Sequence, residues 1–110
     1  MIFSDAVSGM IGPKKQWILA VPHNGGGSGG VFDLMIYGLK DNHLHAIQDL
    51  QTGGHTFGAR ISGRRLIVES AHFLEGDANC CARATKTTIF GNPHGYVEKL
   101  MEWWNLNRRS

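Results

Sequence analysis

Two adjacent cysteines, Cys80 and Cys81, are the residues of this sequence best suited to covalent chemistry. A disulfide between neighbours would force a strained ring, outside the usual Cα separation. Zinc ligands usually stand two to four residues apart, so adjacent thiols suit that metal poorly. A thiolate nucleophile with an imidazole base such as His72 is the reactive arrangement that remains. Because a disulfide between neighbours is strained, we interpret the pair as two thiols pointing in opposite directions. No third, orienting group is evident, so we assign no catalytic residue.

Histidines and carboxylates within strand-like segments are the next candidates. His43 and His45 would project from one face of a strand, where Asp49 could join them around a metal ion. Such a histidine spacing is weak support for a site, and we favour a half-polar exposed face with no metal. Asp33 interrupts an apolar segment that also holds Tyr37. A buried carboxylate is costly unless it is paired, so we take Asp33 and Tyr37 as candidate binding residues.

The glycine-rich segment 25–30 literally matches the dinucleotide-binding fingerprint. That motif works because a helix begins at its last glycine and directs its amides at a pyrophosphate. Here the following residues, 31–39, have the pattern of a strand with both faces covered. We therefore interpret the segment as a plain turn, and no cofactor is predicted.

Aromatic residues could line a pocket or simply fill a small core. If Trp103 and Trp104 lie on a strand, one of them faces away from the core, and an outward tryptophan often marks a partner surface. We therefore expect a homodimer, with an unidentified small molecule or protein as ligand. The aromatic residues considered for the pocket are Trp17, Phe73, Phe90, Tyr96, Trp103 and Trp104.

Composition limits the partners that the chain can have. The 110 residues carry a net charge of +2, and the basic residues are scattered in pairs rather than clustered in a stripe. Nucleic acid is therefore not an expected partner. No stretch approaches the roughly 20 apolar residues of a membrane span. The first five residues lack the basic region of a signal peptide, so we expect a cytoplasmic protein as written, or an exported one if a leader has been removed.

The elements that must position these side chains are predicted to be strands. The sequence holds 15 glycines, and turn signals recur about every 8–12 residues, the spacing typical of all-β domains. We expect a single, mostly β domain: an antiparallel meander of six to seven strands, forming a curved sheet, small barrel or sandwich. An irregular arm is expected at 1–15 and a flexible tail at 105–110. Strands are expected at 16–21, 31–39, 43–50, 56–61, 65–73, 85–90 and from 96 onward.

The last segment is ambiguous. Val97, Leu100, Met101 and Trp104 fall at helical spacing, whereas a position after a tight turn favours a strand completing a hairpin. We predict a strand at least as far as Leu100, and beyond it a short C-terminal helix remains an alternative.

Three features in order resemble a group of small bacterial β-rich proteins, many of them exported. The features are Gly-Gly-Gly-Ser-Gly at 25–29 leading into an aromatic strand, a hairpin centred on Gly63, and Gly-Asp-x-x-Cys-Cys at 76–81. The chain departs from that pattern at 54–56, where Gly-His-Thr replaces Gly-Asp-Arg, and at Ala82, which replaces a proline. The group has no established activity, so the resemblance implies an all-β fold and little more.

The function expected from the sequence is that of a non-enzymatic binding or assembly module. The alternative is a thiol- or metal-dependent enzyme centred on Cys80 and Cys81 with a nearby histidine. Whether the chain is an enzyme stays open at this point, with the balance against it.

Overall fold

The computed structural model describes residues 6–24, 31–77 and 82–107. These residues form one antiparallel sheet of seven strands whose spatial order is the chain order, and the same residues contain no helix. The mostly β, antiparallel meander is thus confirmed. The strands are Val7–Ile11 (β1), Gln16–Asn24 (β2), Val31–Lys40 (β3), His43–Ser62 (β4), Arg65–His72 (β5), Ala84–Gly91 (β6) and Glu98–Leu106 (β7).

Tight turns join the central strands. Asp41 and Asn42 both have positive φ, 53° and 65°, between β3 and β4, and Gly63 and Arg64 have φ of 59° and 63° between β4 and β5. Two successive positive φ values are the signature of the hairpin turn whose twist matches that of the flanking strands. Both turns lie where the sequence predicts them.

The long strand β4 has two arms that pair with different neighbours. His43 to Gln51 pair with β3, Thr56 to Ser62 pair with β5, and Thr56 also pairs with Val31 of β3. Both ladders shift register near the joint, where His55 has a φ of 53°. The sequence predicts two separate strands here, whereas in the structure the chain bends without leaving the sheet. Counted as separate strands, the two arms divide the molecule into two four-stranded sheets.

The two halves fold onto a common core. Gly12 N–H donates to the Arg64 carbonyl at 2.8 Å, which fastens the end of β1 to the turn after β4. The Gln48 side chain donates to the Val97 carbonyl at 2.6 Å and accepts from the Val97 N–H at 3.1 Å. The sheet is therefore strongly curved, but β1 and β7 form no ladder with each other in the described residues. Core residues include Ile11, Ile18, Leu34, Ile36, Leu66 and Val68.

Two expectations at the chain ends need correction. Residues 7–11, expected to be part of an irregular arm, form β1, because Ile11 is completely buried and Val7 packs on the core. The segment expected to end as a flexible tail or a short helix is a strand as far as Leu106. Its residues pair with β6 from Gly91↔Glu98 to Ala84↔Leu106, so sheet pairing overrides the helical spacing of its apolar residues.

Candidate functional site

A groove of about 490 Å³ lies on the concave side of the sheet. Leu50, Val68 and Phe90 form an apolar floor that is continuous with the core. Lys86, Lys99, Glu102 and the hydroxyls of Thr52 and Thr88 supply the polar part of the lining, with Gln51. The volume is within the range of roughly 300–1,000 Å³ found for small-molecule sites.

Strand register brings the charged rim together. Val68, Thr88 and Glu102 stand directly opposite one another across β5, β6 and β7, so they share a face. At the other end of β7, Phe90 pairs with Lys99 while Ile89 pairs with Met101, leaving Leu100 as an extra residue.

That extra residue is a β-bulge, which shifts the side-chain alternation by one position. Lys99 and Glu102, three residues apart, therefore lie on the same face, where Lys99 Nζ is 3.4 Å from Glu102 Oε1. Without the bulge, alternation would place these two side chains on opposite faces of β7.

Glu102 is the centre of the charged rim. Its Oε2 accepts a hydrogen bond from Thr88 Oγ1 at 3.0 Å and lies 3.9 Å from Lys86 Nζ. Burial acts to raise the pKa of Glu102, but the Thr88 hydroxyl and the charges of Lys86 and Lys99 together outweigh it, so this pKa lies below its ordinary value of 4.5. The carboxylate is consequently ionised at neutral pH and holds both ammonium groups at the rim.

A layer of buried hydroxyls lies close to the groove. Thr56 Oγ1 donates to Thr52 Oγ1 at 2.7 Å and is 3.1 Å from Ser70 Oγ. All three residues are buried, and the described residues contain no buried polar side-chain atom that lacks a partner. Sequence analysis missed this layer, because the contact depends on the bend of β4 that brings Thr52 and Thr56 together.

Of the candidate binding residues, His72 and Trp104 meet directly. Their rings are stacked with centroids 4.9 Å apart and an interplanar angle of 23°. Trp104 stands opposite Lys86 and Trp103 opposite Thr87, so the two tryptophans face opposite sides of the sheet. One of these faces carries the groove, and Trp103 lies on the other.

The six aromatic residues considered together do not form one pocket. Phe90 is in the groove floor, but Phe73 packs edge-on against His55 with centroids 4.7 Å apart. Tyr96 is exposed beside His94. Strand register therefore distributes the aromatic residues over several surfaces.

Asp33 lies on the face of the sheet opposite to the groove. Its carboxylate is paired with His23, as the cost of burying a charged group requires. Only 11% of its side chain is exposed, and its Oδ1 is 3.1 Å from His23 Nδ1. A hydrogen bond with Asp33, together with burial and the charge of Asp33, raises the pKa of Asp49. Tyr37 follows Asp33 by four residues on the same face of β3, about 13 Å away along an extended strand.

The arrangement of His43, His45 and Asp49 considered as a metal site does not form. Ile47 is an extra residue in the ladder between β3 and β4, because Tyr37 pairs with Ala46 and Ile36 with Gln48. Asp49 therefore points away from the face of the two histidines. In the part of the chain that the structure describes, no three histidine, cysteine or acidic side chains are grouped to hold a metal ion.

The dinucleotide fingerprint lacks the helix that it requires. Residues 31–40 form strand β3, whereas the fingerprint requires a helix at that point. Segment 25–30 itself lies outside the described residues, as do Cys80 and Cys81.

The Gly-Asp element that precedes the cysteines has a structural role. Gly76 has a φ of 87°, which glycine adopts without strain. Asp77 Oδ2 accepts from the backbone N–H groups of Leu74 at 2.8 Å and Arg83 at 3.0 Å. These backbone hydrogen bonds lower the pKa of Asp77, and the Arg83 guanidinium adds to the effect. The carboxylate therefore holds the two ends of the loop together.

Strand β7 is the second notable surface of the molecule. It is the last strand of the sheet, so one side of its backbone has no neighbouring strand among the described residues. Its exposed apolar side chains are Leu100, Met101, Trp103, Trp104 and Leu106.

Comparisons of the chain with protein-family models, curated proteins and solved structures found no match. Nor do the described residues include a helix with the length and apolar character needed to cross a membrane.

Proposed function

We propose that this protein is a non-enzymatic binding and assembly module that forms a homodimer through β7 and holds a small ligand in the groove. The observation that carries the proposal is the open edge of β7. An edge strand presents a row of unpaired N–H and C=O groups, which is a template for another strand.

Natural proteins usually protect such edges with lysine, proline or bulges. The first part of β7 has two of these devices, Lys99 and the bulge at Leu100. The segment from Met101 to Leu106 has neither lysine nor proline, and Glu102 is its single charged residue. This half of the edge therefore offers both backbone groups and apolar side chains to a partner.

A second copy of the chain fits this edge. Antiparallel pairing of two identical strands about a two-fold axis is isologous, and facing residues must lie on the same face of the sheet. Pairing centred on Trp103 places Glu102 opposite the partner's Trp104 and Met101 opposite the partner's Asn105. No two like charges then face each other across the interface.

Light scattering coupled to size-exclusion chromatography tests the dimer. We expect the wild-type chain to have twice the monomer mass at micromolar concentration, and Trp103→Lys to shift the population to monomer. Leu44→Lys is the matched control, because Leu44 is an exposed apolar residue far from β7 in strand order. A wild-type chain that stays monomeric at all concentrations would refute the proposal.

The alternative of a thiol- or metal-dependent enzyme is favoured by one observation. Asp77 joins Leu74 to Arg83, so the ends of the loop that carries Cys80 and Cys81 are held close to His72. Iodoacetamide reactivity measured against pH tests it: two thiols that are inert near neutrality exclude an activated nucleophile. The proposed relationship to the small bacterial β-rich proteins is compatible with either function.

A further inference from the structure

The geometry points to a ligand class for the groove: an amphipathic organic monoanion, such as an aryl or acyl carboxylate or sulfonate. This inference deepens the proposed function by naming the ligand, and it does not depend on the dimer. The anionic head would lie between Lys86 and Lys99, and the apolar body would lie over Leu50, Val68 and Phe90.

The charge of the rim favours an anion. Among the residues that line the groove, those that ionise are Lys86, Lys99 and Glu102, which leaves one positive charge uncompensated. Each ammonium group has three N–H donors, and Glu102 can engage only part of this capacity. A single additional negative charge would neutralise the rim, whereas a cation would meet two ammonium groups.

The lysines are placed differently with respect to solvent. The Lys86 side chain is 24% exposed and the Lys99 side chain 56% exposed. An ion pair gains strength where water is displaced, so Lys86 should contribute more to binding than Lys99.

The floor favours an apolar body on the ligand. Leu50, Val68 and Phe90 come from three different strands and present carbon to the groove. A simple inorganic anion would contact the rim alone and leave the small accessible part of this floor uncovered. An organic anion covers both surfaces, which is the usual composition of small-molecule sites: mostly apolar walls with a few placed polar groups.

Substitution of Glu102 is expected to change anion binding in the opposite direction to substitution of Lys86. In the free protein its carboxylate is the counter-ion of both lysines, so it competes with an incoming anion. Glu102→Gln should therefore strengthen the binding of an anion, whereas Lys86→Gln should weaken it. A purely structural role of the three residues would not produce effects of opposite sign.

The experiment uses 8-anilinonaphthalene-1-sulfonate as the anionic probe and N-phenyl-1-naphthylamine as its uncharged analogue, both read by fluorescence titration of the full chain. We expect the sulfonate to bind the wild-type chain more tightly than the analogue. Its affinity should fall about fivefold in Lys86→Gln and rise about fivefold in Glu102→Gln, the size expected for one charge-assisted contact. The analogue should bind all three proteins alike.

Lys40→Gln is the matched control, because Lys40 is an exposed lysine at the end of β3. Lys99→Gln is a second test at an exposed position, where the substitution should not disturb folding, and it should weaken the sulfonate less than Lys86→Gln does. Thermal melting of each variant excludes fluorescence from a loosened core, which also binds this probe.

Several results would overturn the inference. One is equal affinity of both probes for the wild-type chain, and another is weaker sulfonate binding in Glu102→Gln. Loss of the signal in Trp103→Lys with no effect of Lys86→Gln would place the probe on the β7 edge instead. Since the dimer is measured by mass, failure here leaves that part of the proposed function standing, and failure of the dimer leaves this test intact.

Discussion

The two edge strands of the sheet, β1 and β7, differ in how far the rest of the chain covers them. β1 has five residues and β7 has nine. A methyl group added at Gly9 of β1 would lie 3.1 Å from Ile61 Cγ2, so the backbone there packs directly against the second arm of β4. On β7, by contrast, Met101 is 55% exposed and Trp104 47% exposed.

The difference shows that this meander covers the unpaired backbone of one edge strand but not that of the other. Curling the sheet covers β1 with the second half of the same chain, and the hydrogen bonds of Gly12 with Arg64 and Asn92 fasten it there. Nothing described in the chain covers β7 in the same way. From Met101 to Leu106 this open edge has no lysine, proline or bulge, so it is a template for another strand, which is why we propose assembly through β7.

The largest expected change in stability is at Ile11, the buried last residue of β1. Ile11→Ala should lower the free energy of unfolding by about 2–5 kcal/mol, because Ile11 is fully buried and its loss leaves a cavity. Leu106 of β7 is 63% exposed, so Leu106→Ala should change the free energy of unfolding of the monomer by less than about 0.5 kcal/mol. Urea unfolding measures both free energies. Leu106→Ala is made in the Trp103→Lys chain, which we expect to be monomeric. Equal losses would mean that the two edges are packed alike.

A smaller effect is expected at Asn92, which follows β6 and whose side chain contacts the turn between β1 and β2 and the first residue of β2. Its Oδ1 accepts from the Lys14 N–H at 3.1 Å and its Nδ2 donates to Gln16 Oε1 at 3.1 Å. Asn92→Ala would leave the Lys14 N–H without this acceptor, so we expect a loss of about 1–3 kcal/mol by urea unfolding. Asn105→Ala, at an exposed position on β7, is the control and should be nearly neutral.

The smallest effect concerns how β7 is held to β6. Because the pKa of Glu102 is lowered below its ordinary value of 4.5, its contribution to stability is full above that value and is lost as pH falls through the lowered pKa. The Tm of the wild-type chain should therefore exceed that of Glu102→Gln by about 2–4 °C at pH 7. This gap should close in strongly acidic solution, as differential scanning fluorimetry would show. A gap that is independent of pH would contradict the assigned role of the carboxylate.

The sequence predicts the parts of this fold that local chemistry determines. The Asp41-Asn42 and Gly63-Arg64 turns are recognisable because short polar residues and glycine tolerate positive φ. The sequence does not predict β1, because Gly9, Gly12 and Pro13 give this segment the composition of a loop. Its pairing with β2 and the burial of Ile11 make it a strand.

The groove is harder to predict, since it depends on pairing between strands. The approach of Lys99 to Glu102 requires the bulge at Leu100, and the bend in β4 requires a register shift on both of its ladders. Neither feature leaves a local signal that alternation would detect. Asp33 is an exception, because a carboxylate in an apolar strand predicts a partner, and the structure supplies His23.

Hydrogen exchange of the backbone amides, measured at several protein concentrations, tests the central claim most directly. If two copies pair through β7, amide protection between Met101 and Leu106 should increase with concentration, whereas protection in β1 should stay constant. Protection of β7 that is the same at every concentration, in a chain that light scattering shows to be monomeric, would contradict the account.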